Sequence, residues 1–231
     1  MQTNLYQITP DDQPALAEIG ALLRAGGLIG IPTETVYGLA ANALDGQAVA
    51  KIFQAKGRPQ DNPLIVHIAA FSQLYPLVGE VPTQAIRLAR AYWPGPLTMI
   101  LPKSPAIPEE VSAGLDTVAV RMPSHPLARA IIQAAGVPLA APSANLSGSP
   151  SPTTAQHVLA DMAGRIQAVV DGGPCSVGVE STVVTLASPC PRLLRPGGIT
   201  PEQLRAVLGK VEIDRAVEEQ LAVGEKPPLP A

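Results

Sequence analysis

From residue 56 to residue 64 the chain reads Lys-Gly-Arg-Pro-Gln-Asp-Asn-Pro-Leu, a stretch through which neither helix nor strand is expected to run. Pro59 and Pro63 each fix one backbone dihedral and remove a donor, and Gly57 admits the left-handed conformation that ends a helix. Upstream, Val49, Ile52 and Phe53 recur at helical spacing behind Asp45, a residue suited to an N-cap. Downstream, Leu64-Ile-Val-His-Ile68 reads as a strand. The segment therefore imposes a helix-to-strand reversal and sets two cations, Lys56 and Arg58, on a stiffened turn expected to be exposed. Such a pair suits a polyanion such as a triphosphate, and a solvated basic turn is the plain alternative.

The same punctuation recurs along the chain. Helical spacing at residues 14–24 stops at Gly26-Gly27, and 28–31 follows as a strand. Residues 83–92 read as a helix closed by Trp93-Pro-Gly-Pro96, before strands at 97–101 and 117–122. Helices are expected at 126–135, 153–163 and 201–208, the last with Pro at its first turn. Extended segments are expected at 138–141 and 167–170, and an antiparallel pair at 181–186 and 192–194. Strands mixed with helices, without a strict βαβ rhythm, predict an α/β fold. Its form is a single domain with an open, twisted, mixed sheet flanked by helices.

A chain of 231 residues supports one sizeable core, and with 46% hydrophobic but 3% aromatic residues that core is built from Ala, Val, Leu and Ile. The predicted domain is 1–210. Residues 211–231 are expected as a tail, which drifts from residue 217 into Gly224-Glu-Lys-Pro-Pro-Leu-Pro230 and reads as a stiff, extended linker lying outside the core.

Several function classes are disfavoured. The net charge of −3 gives no global basic field for nucleic acid. Cys175 and Cys190 have no C-x-x-C partner, and His67, His125 and His157 show no ligand spacing, so a structural zinc site is not expected and metal ligands stay unassigned. A Cys175–Cys190 disulfide stays open. The N-terminus lacks a basic start followed by an apolar run, and no stretch approaches eighteen apolar residues, so a soluble cytoplasmic protein without membrane contact is expected. Neither G-x-x-x-x-G-K-[ST] nor G-x-G-x-x-G is present. A phosphate site would need side-chain cations with hydroxyl and amide donors.

The chain offers such a set in Lys56, Arg58, Ser143, Asn145 and Arg195. Ser143-Ala-Asn-Leu-Ser147 serves equally as a cap or Asx-turn. His67 in its apolar strand is either structural or ligand-facing. Arg121, closing Val118-Ala-Val-Arg, is either in a buried ion pair or on an anion. Tyr37, Trp93 and Gly172-Gly173 read as packing or turn.

Pro32-Thr-Glu-Thr-Val-Tyr-Gly-Leu39, the Lys56–Leu64 segment, Pro142-Ser-Ala-Asn-Leu-Ser-Gly148, Gly178-Val-Glu-Ser-Thr-Val-Val184 and Leu194-Arg-Pro-Gly197 together, in this order, resemble the YrdC-like family of threonylcarbamoyl-AMP synthases. The resemblance runs over residues 20–208 and leaves open whether this is a short member or the catalytic domain of a two-domain one. It implies a concave cationic site and a nucleotidyltransferase that joins L-threonine, bicarbonate or CO2, and ATP into threonylcarbamoyl-AMP with release of pyrophosphate. Mg2+ would accompany the ATP. The product would serve a downstream tRNA-modifying enzyme complex, so that tRNA is an indirect partner.

Carried over by position, Lys56 and Arg58 are implied to be catalytic. Arg58, Asn62, Thr117, Ser143, Asn145, Ser151 and Arg195 would hold ATP or the adenylate. Thr35, His67, Arg121, Ala141 and Ser181 would hold L-threonine. The tail would lie over the nucleotide. Two other readings stand beside this one: a carbamoyl-adenylate-forming enzyme like the related domain of hydrogenase maturation proteins, and a non-catalytic RNA-binding module, against which sparse aromatics and low net charge argue.

Overall fold

The computed structural model describes residues 2–224. The first half of the chain forms β1 (Asn4–Gln7), α1 (Gln13–Arg24), β2 (Ile29–Ile31), β3 (Gly38–Asn42), α2 (Gly46–Lys56), β4 (Ile65–His67), a 3-10 segment (Phe71–Leu77), α3 (Thr83–Tyr92) and β5 (Leu97–Pro102). It continues with α4 (Glu109–Ser112), β6 (Thr117–Arg121), α5 (Pro126–Ala135), β7 (Leu139–Ala140), α6 (Ala155–Met162), β8 (Ala168–Asp171), β9 (Thr182–Thr185), β10 (Arg192–Arg195), α7 (Pro201–Leu208), β11 (Glu212–Ile213) and α8 (Arg215–Gly224). The strands join into one mixed sheet in the order β1-β8-β2-β3-β7-β4-β6-β5-β9-β10-β11, with parallel and antiparallel neighbours interleaved.

Period-two alternation sorts the central strands into two unlike faces. Register aligns His67, Arg121, Thr98 and Val183 in one cross-strand row, and Ile65, Ala119, Ile100 and Thr185 in the next. The residues between them, Val66, Val120, Met99 and Val184, point the other way into the larger core, which also takes Val49, Ile52, Phe53, Leu88 and Leu204 from α2, α3 and α7. On the first face, α1 and α5 pack over one half of the sheet through Leu16, Ile19, Leu23, Leu127, Ile131 and Ile132 against Ile29, Ile31, Leu139 and Val170. This covering layer stops short of β4, β6, β5 and β9, whose polar row is left facing a cavity.

Helix ends follow local chemistry. Asp45 accepts from the backbone N–H of Gln47 and Ala48, and Gly57 at φ 61° closes α2 in the left-handed region, as expected from the sequence. Elements that the sequence reading passed over are β1, β3, the 3-10 segment, α4, β11 and α8. In β3 the Gly-Leu-Ala-Ala-Asn sequence has weak strand preference, and burial between β2 and β7 overrides it.

The tail expectation needs correction over its first part. Beyond residue 210 the chain adds β11 beside β10 and then turns into α8 in place of an extended linker. Asp214 caps the helix start by accepting from Ala216 N at 3.1 Å, Arg215 pairs with Glu219 one turn on, and Val217 is in the core. Residues 225–231, where the Pro-rich linker and nucleotide cover were expected, lie outside the described residues.

Gly20 sets how closely α1 approaches α5, because a Cβ there would strike the Ala134 carbonyl. Gly20→Ala is expected to lower stability by up to about 2 kcal/mol, overpacking of about 1–3 kcal/mol being partly offset by a helix-propensity gain of about 1 kcal/mol. Urea unfolding checks this, and an unchanged midpoint would mean that the two helices separate without cost.

Candidate active site

A cavity of about 400 Å3 opens on the uncovered sheet face. His67, Arg121, Ala119, Ile100 and Val183 form its floor. Thr33 and Thr35 come from the β2–β3 connection and Gly38 from the start of β3, Arg58 and Asn62 from the turn after α2, Ala141 and Ser143 from just after β7, Glu180 and Ser181 from just before β9, and Arg195 from the end of β10. Of the residues singled out in the sequence, the cavity thus gathers Thr35, Arg58, Asn62, His67, Arg121, Ala141, Ser143, Ser181 and Arg195. Lys56, Thr117, Asn145 and Ser151 do not line it.

The amino-acid end expected from the sequence is a buried cluster. Arg121 donates through Nη1 to Thr35 Oγ1 at 2.8 Å, and Thr35 shares a 3.0 Å hydroxyl contact with Thr33. Behind Arg121, Glu34 Oε1 approaches Nη2 at 2.6 Å. The ion-pair reading of Arg121 is therefore the one the geometry displays, and the same guanidinium also faces the cavity. His67 donates through Nδ1 to the Ile65 carbonyl at 3.1 Å, and burial, reinforced by the Arg121 charge, lowers its pKa to about 3. The imidazole is neutral.

Toward the other end, Arg195 forms an ion pair with Glu180 and donates from Nε to Ser181 O and from Nη2 to Ser181 Oγ, each at 3.0 Å. Ser181 Oγ also lies 2.8 Å from Thr98 Oγ1, so one hydroxyl is held from both ends of the cavity. Burial pulls the Arg195 pKa down while Glu180 holds it up. Arg58 is half-buried and has no ion-pair partner among the described residues.

The expected exposure of Lys56 is corrected most clearly. It is 3% exposed, and its ammonium reaches across to the loop after β7, donating to the carbonyls of Ser143 at 2.5 Å and Asn145 at 2.6 Å. Ser147 N returns a bond to the Lys56 carbonyl at 2.9 Å. A single buried lysine thus pins the loop that presents Ser143, and the expected exposed turn begins only at Gly57. Asn145 is likewise committed to the loop, donating to Ser149 O at 2.7 Å and Leu146 O at 2.8 Å. Ser151 reaches the site indirectly, through a 3.0 Å bond to Glu180 Oε1. Thr117 shares a strand face with Ala119 and Arg121 but lies beyond the lining.

Glu180 and Glu34 escaped the sequence reading although both stand inside quoted segments, Gly-Val-Glu-Ser and Pro-Thr-Glu-Thr. The signal was a carboxylate beside each assigned hydroxyl. Tyr37 and Trp93 are packing residues as expected. Tyr37 donates to Gly173 O at 2.7 Å, with burial raising its pKa to about 12, and Trp93 Nε1 donates to Leu97 O at 2.7 Å. Cys175 and Cys190 are free thiols. Among the described residues no group of three or more His, Cys, Asp or Glu is placed to hold a metal ion, and no helix is long and apolar enough to cross a membrane.

Fold and cavity together define an α/β domain with a candidate ligand cleft on the uncovered half of one sheet face. The chain belongs to the Sua5/YciO/YrdC family, whose model, described as Telomere recombination, matches residues 21–197. It is 56% identical over 220 residues to a threonylcarbamoyl-AMP synthase of Bacillus subtilis, covering 95% of this chain and 63% of that protein. A synthase of the same name from Pyrococcus abyssi is 55% identical over 195 residues, covering 84% of this chain and 57% of the relative. The crystal structure of P. abyssi Sua5 complexed with L-threonine superposes with a TM-score of 0.90 at 50% identity, over 94% of this chain and 64% of that one. The chain thus spans less than two thirds of the length of each of these three.

Burial, with the Arg58 charge adding to it, lowers the Lys56 pKa from 10.5 to about 8. As pH rises through about 8 the amine loses its third N–H, and the loop bearing Ser143 is expected to loosen. Global stability moves the other way through this group: between 8 and 10.5 the unfolded chain binds the extra proton, so its contribution rises with pH. Hydrogen exchange of residues 143–147 and thermal melts from pH 7 to 10 separate the two effects. Lys56→Ala is expected to cost about 1.5–3 kcal/mol of stability, because it leaves buried carbonyls unpaired.

Proposed function

We propose that the chain synthesises L-threonylcarbamoyl-AMP from L-threonine, bicarbonate or CO2, and ATP, releasing pyrophosphate. One observation carries the reading. A single cavity joins a buried end of hydroxyls, a neutral imidazole and Arg121 to a more open end with Arg58 and Arg195. The relatives named threonylcarbamoyl-AMP synthase, and the P. abyssi structure holding L-threonine, lend it support.

In this reading Arg121 receives the threonine carboxylate, with Thr35, His67, Ala141 and Ser181 around the rest of the amino acid. The threonine ammonium loses a proton, the amine nitrogen bonds to the carbon of CO2, and a second proton leaves to give a carbamate. A carbamate oxygen then attacks the α-phosphorus, and the bond to the pyrophosphate oxygen breaks. Arg58 and Arg195 stabilise the phosphates, with Asn62, Ser143 and the more distant Thr117 toward the nucleotide. Lys56, Asn145 and Ser151 act from behind by holding Ser143 and Glu180. Positioning and electrostatics suffice for such a transfer.

Magnesium would arrive with ATP and neutralise phosphate charge. A mostly hydrated Mg2+ on phosphate oxygens needs only one or two protein carboxylates, and Glu180 is the carboxylate among the lining residues. The product would pass to a tRNA-modifying enzyme complex in the cytoplasm.

The test is pyrophosphate release with ATP, bicarbonate and each amino acid in turn. Release is expected to require both L-threonine and bicarbonate, with serine the nearest competitor, since one methyl discriminates by about 1–3 kcal/mol. Equal turnover with alanine or valine would remove the threonine assignment. Arg58→Ala is expected to raise KM for ATP about 10- to 100-fold, a lost charged contact of about 1.5–3 kcal/mol, while the melting temperature stays the same.

A further inference from the structure

We propose that Glu34 is the positioning residue for Arg121, and that the buried end of the cavity reads a carboxylate only while Glu34 holds the guanidinium in place. The inference rests on the reading of that end as a threonine site.

Glu34 and Arg121 are 5% and 4% exposed, but only Arg121 lines the cavity. Glu34 stands behind it. A guanidinium has five N–H groups. In Arg121, one on Nη1 goes to Thr35 Oγ1 at 2.8 Å and the Nε one reaches Gly95 O at 3.4 Å, while Nη2 stands 2.6 Å from Glu34 Oε1 in an ion pair. One N–H on Nη1 and both on Nη2 have no hydrogen-bond acceptor among the described residues, and donors of this kind are what a carboxylate accepts from. Glu34 supplies the shortest of the three restraints and the only charged one.

The carboxylate is itself anchored through its backbone. Val177 N donates to Glu34 O at 2.8 Å, and Thr33 Oγ1 closes the surrounding turn onto Val36 O at 2.6 Å. The contact with Arg121 is one of charge, without an aligned hydrogen bond: neither Glu34 oxygen nor Nη2 has a hydrogen-bond partner among the described residues. Stability alone does not account for such a pair, because burying two charges costs about what their attraction returns, and apolar replacements are often neutral or better. Orientation of Arg121 does account for it.

The test titrates L-threonine into the protein without ATP and measures KM for threonine and ATP in turnover. Glu34→Gln is expected to weaken threonine binding at least tenfold while KM for ATP stays within twofold, and Glu34→Asp to fall between Glu34→Gln and the unaltered protein. Threonine bound by Glu34→Gln as tightly as before, or more tightly, would overturn the proposal and make Glu34 a mere counter-ion. If Glu34→Gln does not fold, Glu34→Asp decides: an unchanged threonine Kd overturns the proposal and a weakened one sustains it. The doubly neutral Glu34→Gln, Arg121→Gln protein is expected to fold and bind no threonine, and threonine binding by it would also overturn the proposal. Failure of the unaltered protein to bind threonine would remove the function reading, and this inference with it.

Discussion

The two-residue repeat of β4, β6, β5 and β9 is the constraint on which the rest depends. Every second residue enters the larger core, and the residues between them form the row His67, Arg121, Thr98 and Val183. A one-residue slip would exchange the faces, drive Arg121 into a core of Val, Leu and Met, and expose Val120 and Val66. Register is thus held by apolar burial on one side and by ion pairing on the other. The site exists because α1 and α5 cover only the other half of that face.

Charge in the cavity is arranged in pairs and not as a uniform field. Arg121 is matched by Glu34 and Arg195 by Glu180, and Arg58 has no ion-pair partner among the described residues. An anion therefore meets Arg58 together with two guanidiniums already fixed by carboxylates. Fixed donors do not have to reorganise when a charged ligand arrives, which is where preorganised electrostatics is most effective. Lys56 contributes differently: its charge is spent entirely inside the protein, on backbone carbonyls.

Much of the fold was legible because local chemistry and tertiary structure agree. Asp45, Gly57, Pro126 and Pro201 mark helix ends where the structure has them, and the long apolar runs became strands. The misses were segments where tertiary burial decides, such as the Gly- and Ala-rich β3, or where a short helix such as α8 forms out of residues that read as tail and linker. At the site, residue types and approximate positions were visible, but direction was not. Nothing in Lys-Gly-Arg says that the lysine turns inward across the sheet edge while the arginine lines the cavity, since that depends on where the loop after β7 comes to rest. The roles of Glu34 and Glu180 were hidden for the same reason, as each is defined by a partner 87 or 15 residues away.

Under the proposed function, the hydroxyl of Ser181 would tie together two specificities that a designer would wish to alter separately. It accepts from Arg195 and touches Thr98, beside Arg121 in the cross-strand row. Replacing it would also release Arg195, which donates to it from the other end of the cavity. Substitutions at the two ends of the cavity will therefore be non-additive, as for residues that share a partner. A change of ligand preference reached through Ser181 would need a second change near Arg195 before it became efficient, whereas one reached through Ala141, which lies outside this hydroxyl network, would not.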